Sequence, residues 1–338
     1  MKRILVTGAC GYIGSHTMVE LLENGYEVIS ADSHINSNET PLQSIYEITG
    51  KKINNCVIDL SNKEECSSFF EQIGHIDGLI HFAALKSVGE SVTNPLLYYE
   101  NNLCSLMNIL NAVQTKSIEA FIFSSSCTVY GITEKQPVDE TSPFLPTGSP
   151  YGRTKQMGEQ IIQDVYLNSK LKAISLRYFN PAGAHHSGKL GELPINPALN
   201  LVPSITETAI GVRERVDIHG VDYNTRDGSC IRDFIHIEDL ASAHRLALEY
   251  IFLGKQNKSY EVFNLGTGQG VSVLEAVQSF ESIAGIELNK KIGLKREGDI
   301  PFIYSTIEKA QNELGWTPKY GIDDIMSTAW AWEKSRRK

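Results

Sequence analysis

The sequence predicts an α/β protein in which a doubly wound parallel sheet precedes a smaller α/β domain. From residue 2 to about residue 178, short apolar runs alternate with longer segments of helical period, the pattern of βαβ units. A glycine-rich turn joins the first predicted strand to the first helix. The stretch 180–203 is rich in Pro, Gly and Asn, which indicates that the chain leaves the sheet there. We therefore expect one domain over residues 1–180 and a second over 181–338, with some return of the chain to the first around 230–265.

The elements follow in a regular order. The predicted strands of the sheet are RILVTG, EVISAD, NCVID, GLIHFAA, AFIFSSS and AISLRYF. The helices predicted between them span 12–24, 62–73, 95–116 and 151–169, while 33–51 is predicted to be irregular and helical only in part. The second part is predicted to contain helices at 202–211, 237–254, 272–285, 305–314 and 321–335, with short strands at RVDIHG and YEVFNLG.

Composition excludes several classes of protein. A net charge of −9 argues against nucleic-acid binding, which requires a concentrated basic surface. We expect no membrane span and no secretion signal, because no apolar run is long enough. The six cysteines have no metal-ligand spacing, so we predict reduced thiols, no metal site and a cytoplasmic protein.

The first turn has the composition of a dinucleotide-binding site. Gly8, Gly11 and Gly14 are spaced G-x-x-G-x-x-G, one residue longer in the first interval than the Rossmann fingerprint. Glycine allows backbone to approach a pyrophosphate at a helix N-terminus. Asp32 closes the second strand 18 residues past Gly14, where a carboxylate can accept bonds from the adenosine ribose. Because no arginine follows it to accept a 2′-phosphate, NAD is favoured over NADP.

Other side chains follow strands at the same edge of the sheet, where ligands of parallel sheets bind. Asp59 could hold an adenine amino group or simply cap a turn, and Lys86 could meet a cofactor phosphate or ribose or be a surface lysine. Ser126 ends the fifth strand, and Tyr151 and Lys155 lie one helical turn apart. The chain has a second Tyr-x-x-x-Lys, Tyr166 with Lys170, but it falls near the end of the helix and not at the sheet edge.

The motifs together carry a family resemblance over essentially the whole chain. TGACGYIGSH, HFAALKSVGES, FIFSSSCTVYG, SPYGRTK, LRYFNPAGAH, IRDFIHIEDLA, NLGTG and REGDIP make the sequence similar to extended short-chain dehydrogenases/reductases, and within them to the UDP-galactose 4-epimerase family. The resemblance implies an NAD-binding Rossmann domain, a mainly UDP-sugar-binding second domain and a homodimer. It also implies inversion at sugar C4 through a transient 4-keto sugar, with NAD held throughout.

The resemblance implies a role for each candidate residue. Tyr151, assisted by Ser126 and Lys155, removes the sugar 4-hydroxyl proton. The implied cofactor-binding residues are Gly8, Gly11, Tyr12, Ile13, Gly14, Asp32, Asp59, Leu60, Phe82, Ala83, Ala84, Lys86, Asn101, Ser124, Tyr151, Lys155 and Tyr178. The implied substrate-binding residues are Lys86, Ser126, Tyr151, Phe179, Asn180, Asn200, Leu201, His219, Arg232, Arg296, Asp299 and Ile303. A surface ion pair remains the alternative for each arginine.

Two positions depart from the family pattern. His219 stands where several members have an aromatic residue under the uracil, and Ile303 stands where a tyrosine often narrows the sugar pocket. The smaller isoleucine leaves room for a 2-acetamido group, so a UDP-N-acetylglucosamine 4-epimerase is the alternative function. A nucleotide-sugar dehydratase is disfavoured because Cys127 and Thr128 supply no carboxylate after Ser126, and an NAD sensor is disfavoured because the Tyr151–Lys155 pair is retained.

The proposed chemistry also makes an electrostatic prediction. A phenol that acts as a base near neutral pH needs its pKa lowered by about three units, or roughly 4 kcal/mol. We expect Lys155 to supply part of this shift and the positive nicotinamide of NAD+ to supply the rest.

Overall fold

The computed structural model describes residues 1–167, 169–194, 198–296 and 299–337. Its centre is a seven-stranded parallel sheet in the order β11-β6-β5-β4-β1-β2-β3. These strands are β1 (Arg3–Thr7), β2 (Glu27–Asp32), β3 (Asn55–Val57), β4 (Gly78–His81), β5 (Ala120–Ser124), β6 (Lys172–Tyr178) and β11 (Tyr260–Leu265). The predicted fold class is confirmed, and all six strands predicted for the sheet are present.

Helices cover both faces of the sheet. In chain order they are α1 (Tyr12–Glu23), α2 (Thr40–Thr49), α3 (Lys63–Gln72), α4 (Val88–Thr93), α5 (Pro95–Thr115), α6 (Pro150–Tyr166), α7 (Leu201–Ala209), α8 (Ile237–Phe252), α9 (Val273–Ala284) and α10 (Ile322–Ser335). None of the helices in the described ranges has an apolar span of membrane-crossing length.

Successive side chains of a strand point to opposite faces of the sheet, which explains why an apolar core lies on each face. Ile4 and Val6 of β1 face a cluster that includes helices α1 and α8, whereas Leu5 between them faces a cluster that includes α3, α5 and α6. Strands buried on both faces in this way read as continuous apolar runs, which is why they were recognisable in the sequence.

The second part of the chain builds small sheets around its own core. Strand β7 (Asn180–Ala182) pairs with β10 (Phe234–His236), and β8 (Val216–His219) pairs with β13 (Lys290–Gly293). Strand β9 (Ile231–Arg232) lies between β12 (Val271–Ser272) and β14 (Phe302–Ile303). Helices α7, α9 and α10 contribute to a separate apolar cluster beside these strands.

The helices differ from the prediction in two places and complete it in a third. Helix α2 occupies ten residues of the stretch predicted to be irregular and helical in part. Helix α4 was not predicted, because six residues capped by Ser87 are too few to show a helical period. The helix predicted from residue 305 starts later, since Asp233 holds Ser305 through its N–H and hydroxyl; a π-helical segment then spans Ala310–Leu314.

Candidate active site

A cavity of about 600 Å³ lies at the carboxyl edge of the sheet, between the sheet and the second part of the chain. All the predicted cofactor-binding and catalytic residues line it. The predicted substrate-binding residues also line it, with the single exception of Ile303. Residues separated by up to 291 positions, such as Gly8 and Asp299, therefore contribute to one cavity.

The glycine turn leaves no room for side chains. Gly8 has φ +64°, and a Cβ there would lie 2.7 Å from the backbone nitrogen of Ala83. A Cβ on Gly14 would lie 2.9 Å from the Cα of Ala9. Gly11 precedes α1 without a side-chain cap, so the first N–H groups of the helix are left for a ligand. The close backbone packing and the uncapped helix N-terminus fit a bound pyrophosphate.

Asp32 is held at the end of β2 by three hydrogen bonds. Its carboxylate accepts from the Cys10 N–H at 3.0 Å, the His34 N–H at 2.9 Å and the Ser37 hydroxyl at 2.6 Å. These donors fix its orientation towards the cavity, and a carboxylate retains lone pairs for the hydroxyls of a ribose. The site therefore fits NAD, whose adenosine ribose carries two free hydroxyls.

The structure brings Ser126, Tyr151 and Lys155 together at the ends of β5 and α6. Ser126 accepts the Thr128 N–H at 3.2 Å and begins a short 3₁₀ turn. Ser149 caps α6 by accepting the Gly152 N–H at 3.2 Å, which sets the first helical turn against that edge. Lys155 Nζ lies 4.9 Å from the centre of the Phe123 ring and 5.8 Å from that of Tyr151.

The pKa of the phenol departs from the predicted direction in the protein chain alone. Burial raises the pKa of Tyr151 to about 12, although a hydrogen bond with Ser126 opposes the shift. Burial also lowers the pKa of Lys155 to about 8, with Glu159 acting in the opposite sense. Burial dominates because a buried phenolate loses its hydration, and Lys155 is not among the groups that oppose it.

A network of buried hydrogen bonds lies next to this edge of the sheet. Glu159, one turn after Lys155, receives hydrogen bonds from the Arg177 guanidinium at 2.6 and 2.9 Å. The Ser125 hydroxyl also donates to Glu159, and the Tyr130 hydroxyl accepts from Arg177 at 3.1 Å. Ser124 and Tyr178 share a further short hydrogen bond between their hydroxyls. These contacts tie the end of β5 to α6 and β6.

Polar groups of the second part line the other end of the cavity. Arg232 contacts the Asp299 carboxylate at 3.2 Å and donates to the Ile300 carbonyl at 2.8 Å. Arg296 is exposed, and the Asn180 side-chain oxygen is buried without a hydrogen-bond partner in the described ranges. This end supplies two guanidinium groups, the donors best suited to a diphosphate.

Ile303 lies behind the cavity wall. It is 5% exposed and packs in a cluster with Cys127 and Phe179, two residues that do line the cavity. In β14 it is paired in register with Arg232 of β9.

The sequence analysis missed many of the lining residues, among them Glu192, Arg213 and Thr128. Glu192 accepts from the Asn200 amide at 2.9 Å and lies 3.9 Å from Lys86 Nζ. Arg213 lies 3.5 Å from Glu207, and Thr128 follows Ser126 by two residues. The position of Thr128 within FSSSCTVYG could have indicated it, whereas Glu192 and Arg213 stand in segments without a distinguishing motif.

Comparisons with known proteins agree with this geometry. The model of the NAD dependent epimerase/dehydratase family matches residues 4–266. A UDP-glucose 4-epimerase of Bacillus subtilis (strain 168) is 43% identical over 333 residues, covering 98% of this chain and 97% of the relative. A UDP-glucose 4-epimerase 2 of Arabidopsis thaliana is 42% identical, covering 98% of this chain and 95% of the relative.

Solved structures give the same result. UDP-glucose 4-epimerase from Bifidobacterium longum, in complex with NAD+ and UDP, has a TM-score of 0.94 at 40% identity and covers 99% of both chains. A UDP-Glc/GlcNAc 4-epimerase from Campylobacter jejuni has a TM-score of 0.84 at 36% identity, covering 99% of this chain and all of that one. The resemblance seen in the motifs is confirmed: this chain belongs to the NAD dependent epimerase/dehydratase family.

Proposed function

We propose that this protein is an isomerase that interconverts UDP-glucose and UDP-galactose by inverting the configuration at sugar C4, with NAD as its cofactor. One observation carries the proposal: a single cavity contains the glycine turn, the Ser126–Tyr151–Lys155 group and the guanidinium groups of Arg232 and Arg296. When bound, NAD supplies a reversible hydride acceptor. The names of the relatives and structural neighbours support the same reaction.

Tyr151 exchanges the proton of the sugar 4-hydroxyl in this proposal. Ser126 lines the cavity together with the phenol and can bond to the substrate oxygen. Since burial raises the pKa of Tyr151 in the chain alone, the phenol holds its proton until a positive charge beyond that of Lys155 lies beside it. Lys155 and the buried Glu159–Arg177 pair keep that phenol in place.

The other cavity residues bind and orient the two nucleotides. Gly8, Gly11 and Gly14 would hold the NAD pyrophosphate, and Asp32 would hold its adenosine ribose. Arg232 and Arg296 would bind the UDP diphosphate, with Asp299 accepting from the uridine ribose. We propose the same cofactor- and substrate-binding roles for the other predicted residues that line the cavity. A sugar attached through a diphosphate can present either face to Tyr151, which inversion requires.

We also infer a cytoplasmic homodimer. Apolar side chains remain exposed on α5 and α6, among them Leu96, Leu97, Met107 and Met157. The cysteines are unpaired thiols in the structure, as is usual in a reducing compartment. Light scattering of the purified chain would test the dimer, and a charged substitution at Leu96 should yield monomers if the α5 surface is the interface.

The test of the main proposal is an assay with UDP-galactose in which UDP-glucose formation is coupled to an auxiliary dehydrogenase. Release of NAD on denaturing the purified protein should accompany turnover. NAD without turnover would contradict the enzymatic proposal and favour a sensor. Formation of a 4-keto-6-deoxy sugar would instead indicate a dehydratase.

A second candidate activity is 4-epimerisation of UDP-N-acetylglucosamine. Ile303 packs directly behind Cys127 and Phe179, where a larger aromatic residue would press on the cavity wall. Because isoleucine is smaller than such a residue, the sugar pocket has more room for a 2-acetamido group. The proposal is that both kinds of UDP-hexose are accepted, and parallel assays with the two substrates test it.

A further inference from the structure

A cluster of three side chains outside the cavity has the composition of a metal site. His185 and His186 follow β7, and Glu238 lies in the first turn of α8. Glu238 Oε1 lies 2.8 Å from His186 Nδ1 and 3.6 Å from His185 Nε2. One potential ligand atom from each residue lies within 4.8 Å of the other two. The cluster therefore presents two imidazole nitrogens and a carboxylate to one point.

The spacing of these atoms suits a tetrahedral ion. Zinc binds imidazole nitrogen and carboxylate oxygen at about 2.0–2.2 Å, so neighbouring ligand atoms in a tetrahedral site are about 3.3 Å apart. The two measured separations lie on either side of that value. Only small side-chain movements would be needed to admit an ion.

The buried imidazole of the cluster is held in place by a neighbouring residue. The His185 side chain is 5% exposed. Its Nδ1 lies 2.9 Å from the Ser187 hydroxyl. Nδ1 also accepts the Ser187 N–H at 3.2 Å, and these two contacts fix the orientation of the ring.

The two carboxylate oxygens of Glu238 have different neighbours. Oε1 faces the two histidines of the cluster, whereas Oε2 lies 3.9 Å from Nδ1 of the buried His236. His186 is 70% exposed, which leaves an entry path and an open coordination position.

We propose that His185, His186 and Glu238 bind one zinc ion, with water in the fourth position. None of these three residues lines the cavity, so the site is separate from the proposed chemistry. It would join the turn after β7 to the start of α8. The Gly183 carbonyl in that turn accepts from the Tyr12 hydroxyl at 2.7 Å, and Tyr12 begins the helix that follows the glycine turn. The ion would stabilise the wall behind the cofactor site.

Metal analysis of the full chain tests the proposal. Protein treated with a chelator, incubated with zinc chloride and desalted should retain one zinc ion per chain, and magnesium should not be retained. His186→Ala and Glu238→Gln should each lose the zinc while keeping the far-UV circular dichroism of the wild type. His75→Ala, at a 79% exposed histidine elsewhere, should retain it.

Cobalt substitution distinguishes this site from the cysteines. Cobalt-loaded wild type should show tetrahedral d–d absorption without a thiolate charge-transfer band, and both variants should lose the d–d bands. Failure of the wild type to retain zinc would overturn the proposal. Equal zinc content in wild type and variants, or a thiolate band, would overturn it as well, because the six cysteines are common to all.

Discussion

Lys155 Nζ donates a hydrogen bond of 2.7 Å to the carbonyl oxygen of Ser124, the last residue of β5. This contact ties the first turns of α6 to the edge of the sheet at which Tyr151 lies. The ammonium is 5.8 Å from the centre of the Tyr151 ring, and its own pKa is lowered to about 8 by burial. Lys155 therefore acts first as an anchor, and its charge alone does not make the phenol acidic.

Replacing Tyr151 by Phe should lower turnover by about 10²–10⁴-fold or more, because the group that exchanges the 4-hydroxyl proton is lost. NAD released on denaturation should remain at the wild-type amount, since the glycine turn and Asp32 are untouched. The matched control is Tyr166→Phe in the second Tyr-x-x-x-Lys. The Tyr166 hydroxyl is buried without a partner in the described ranges, so its loss should leave turnover unchanged. Equal turnover in Tyr151→Phe and wild type would remove Tyr151 from the proposed role.

The ionisation of Tyr151 should depend on the charge of the bound cofactor. In the NAD-free protein its pKa is raised to about 12, so no Tyr151 phenolate should form between pH 7 and 10. NAD+ should lower this pKa, whereas NADH, which lacks the positive ring, should not. The measurement is the ultraviolet phenolate absorbance of wild type minus that of Tyr151→Phe in each state. A phenolate signal at pH 8 without NAD+ would contradict this account.

The sequence predicted most of the fold because buried parallel strands have no polar face to interrupt their apolar runs. All the predicted site residues except Ile303 line the cavity, since the glycine turn, Asp32 and the Tyr151–Lys155 pair stand at fixed offsets from strand ends. The sequence did not predict that burial raises the pKa of Tyr151 in the chain without NAD, because desolvation depends on neighbours that only the folded chain brings together. Glu192 and Arg213 were missed for the same reason: their segments reach the cavity only through tertiary packing.

Ile303→Tyr should separate the two candidate activities. The added ring should press on Phe179 and Cys127 and narrow the sugar pocket. Activity on the N-acetylated substrate should fall by about 10–200-fold, the range that one poorly fitting substituent produces, while activity on UDP-galactose is kept. Ile303→Val is the control that adds no bulk. Identical substrate profiles for the tyrosine variant and the wild type would show that this position does not govern pocket size.

Removing the charge of Glu159 should destabilise the protein strongly. Glu159→Gln leaves the Arg177 guanidinium buried without its partner, which costs about 3–5 kcal/mol. Urea unfolding should show the loss as a lower midpoint. The same change at Glu119, whose pair with Lys2 is exposed, should cost less than about 1 kcal/mol. Similar midpoints for the two variants would mean that the buried pair contributes no more than the surface pair.

Acid should destabilise the fold through its buried histidines. Burial lowers the pKa of His16, His236 and His244 to about 4, below the ordinary value of 6.5. The unfolded chain therefore binds more protons between pH 6.5 and 4, so the free energy of unfolding falls as the pH falls through that window.

His244 offers the clearest test of this pH dependence, because it is fully buried. The centre of its ring lies 4.7 Å from the centre of the Phe82 ring. His244→Phe removes the titrating group and should reduce the loss of unfolding free energy between pH 7 and pH 5 by about 2 kcal/mol. Urea unfolding at both pH values provides the measurement, and His75→Phe, at an exposed histidine, is the control. If the His244 variant lost as much stability as the wild type over this interval, protonation of His244 would not be the cause.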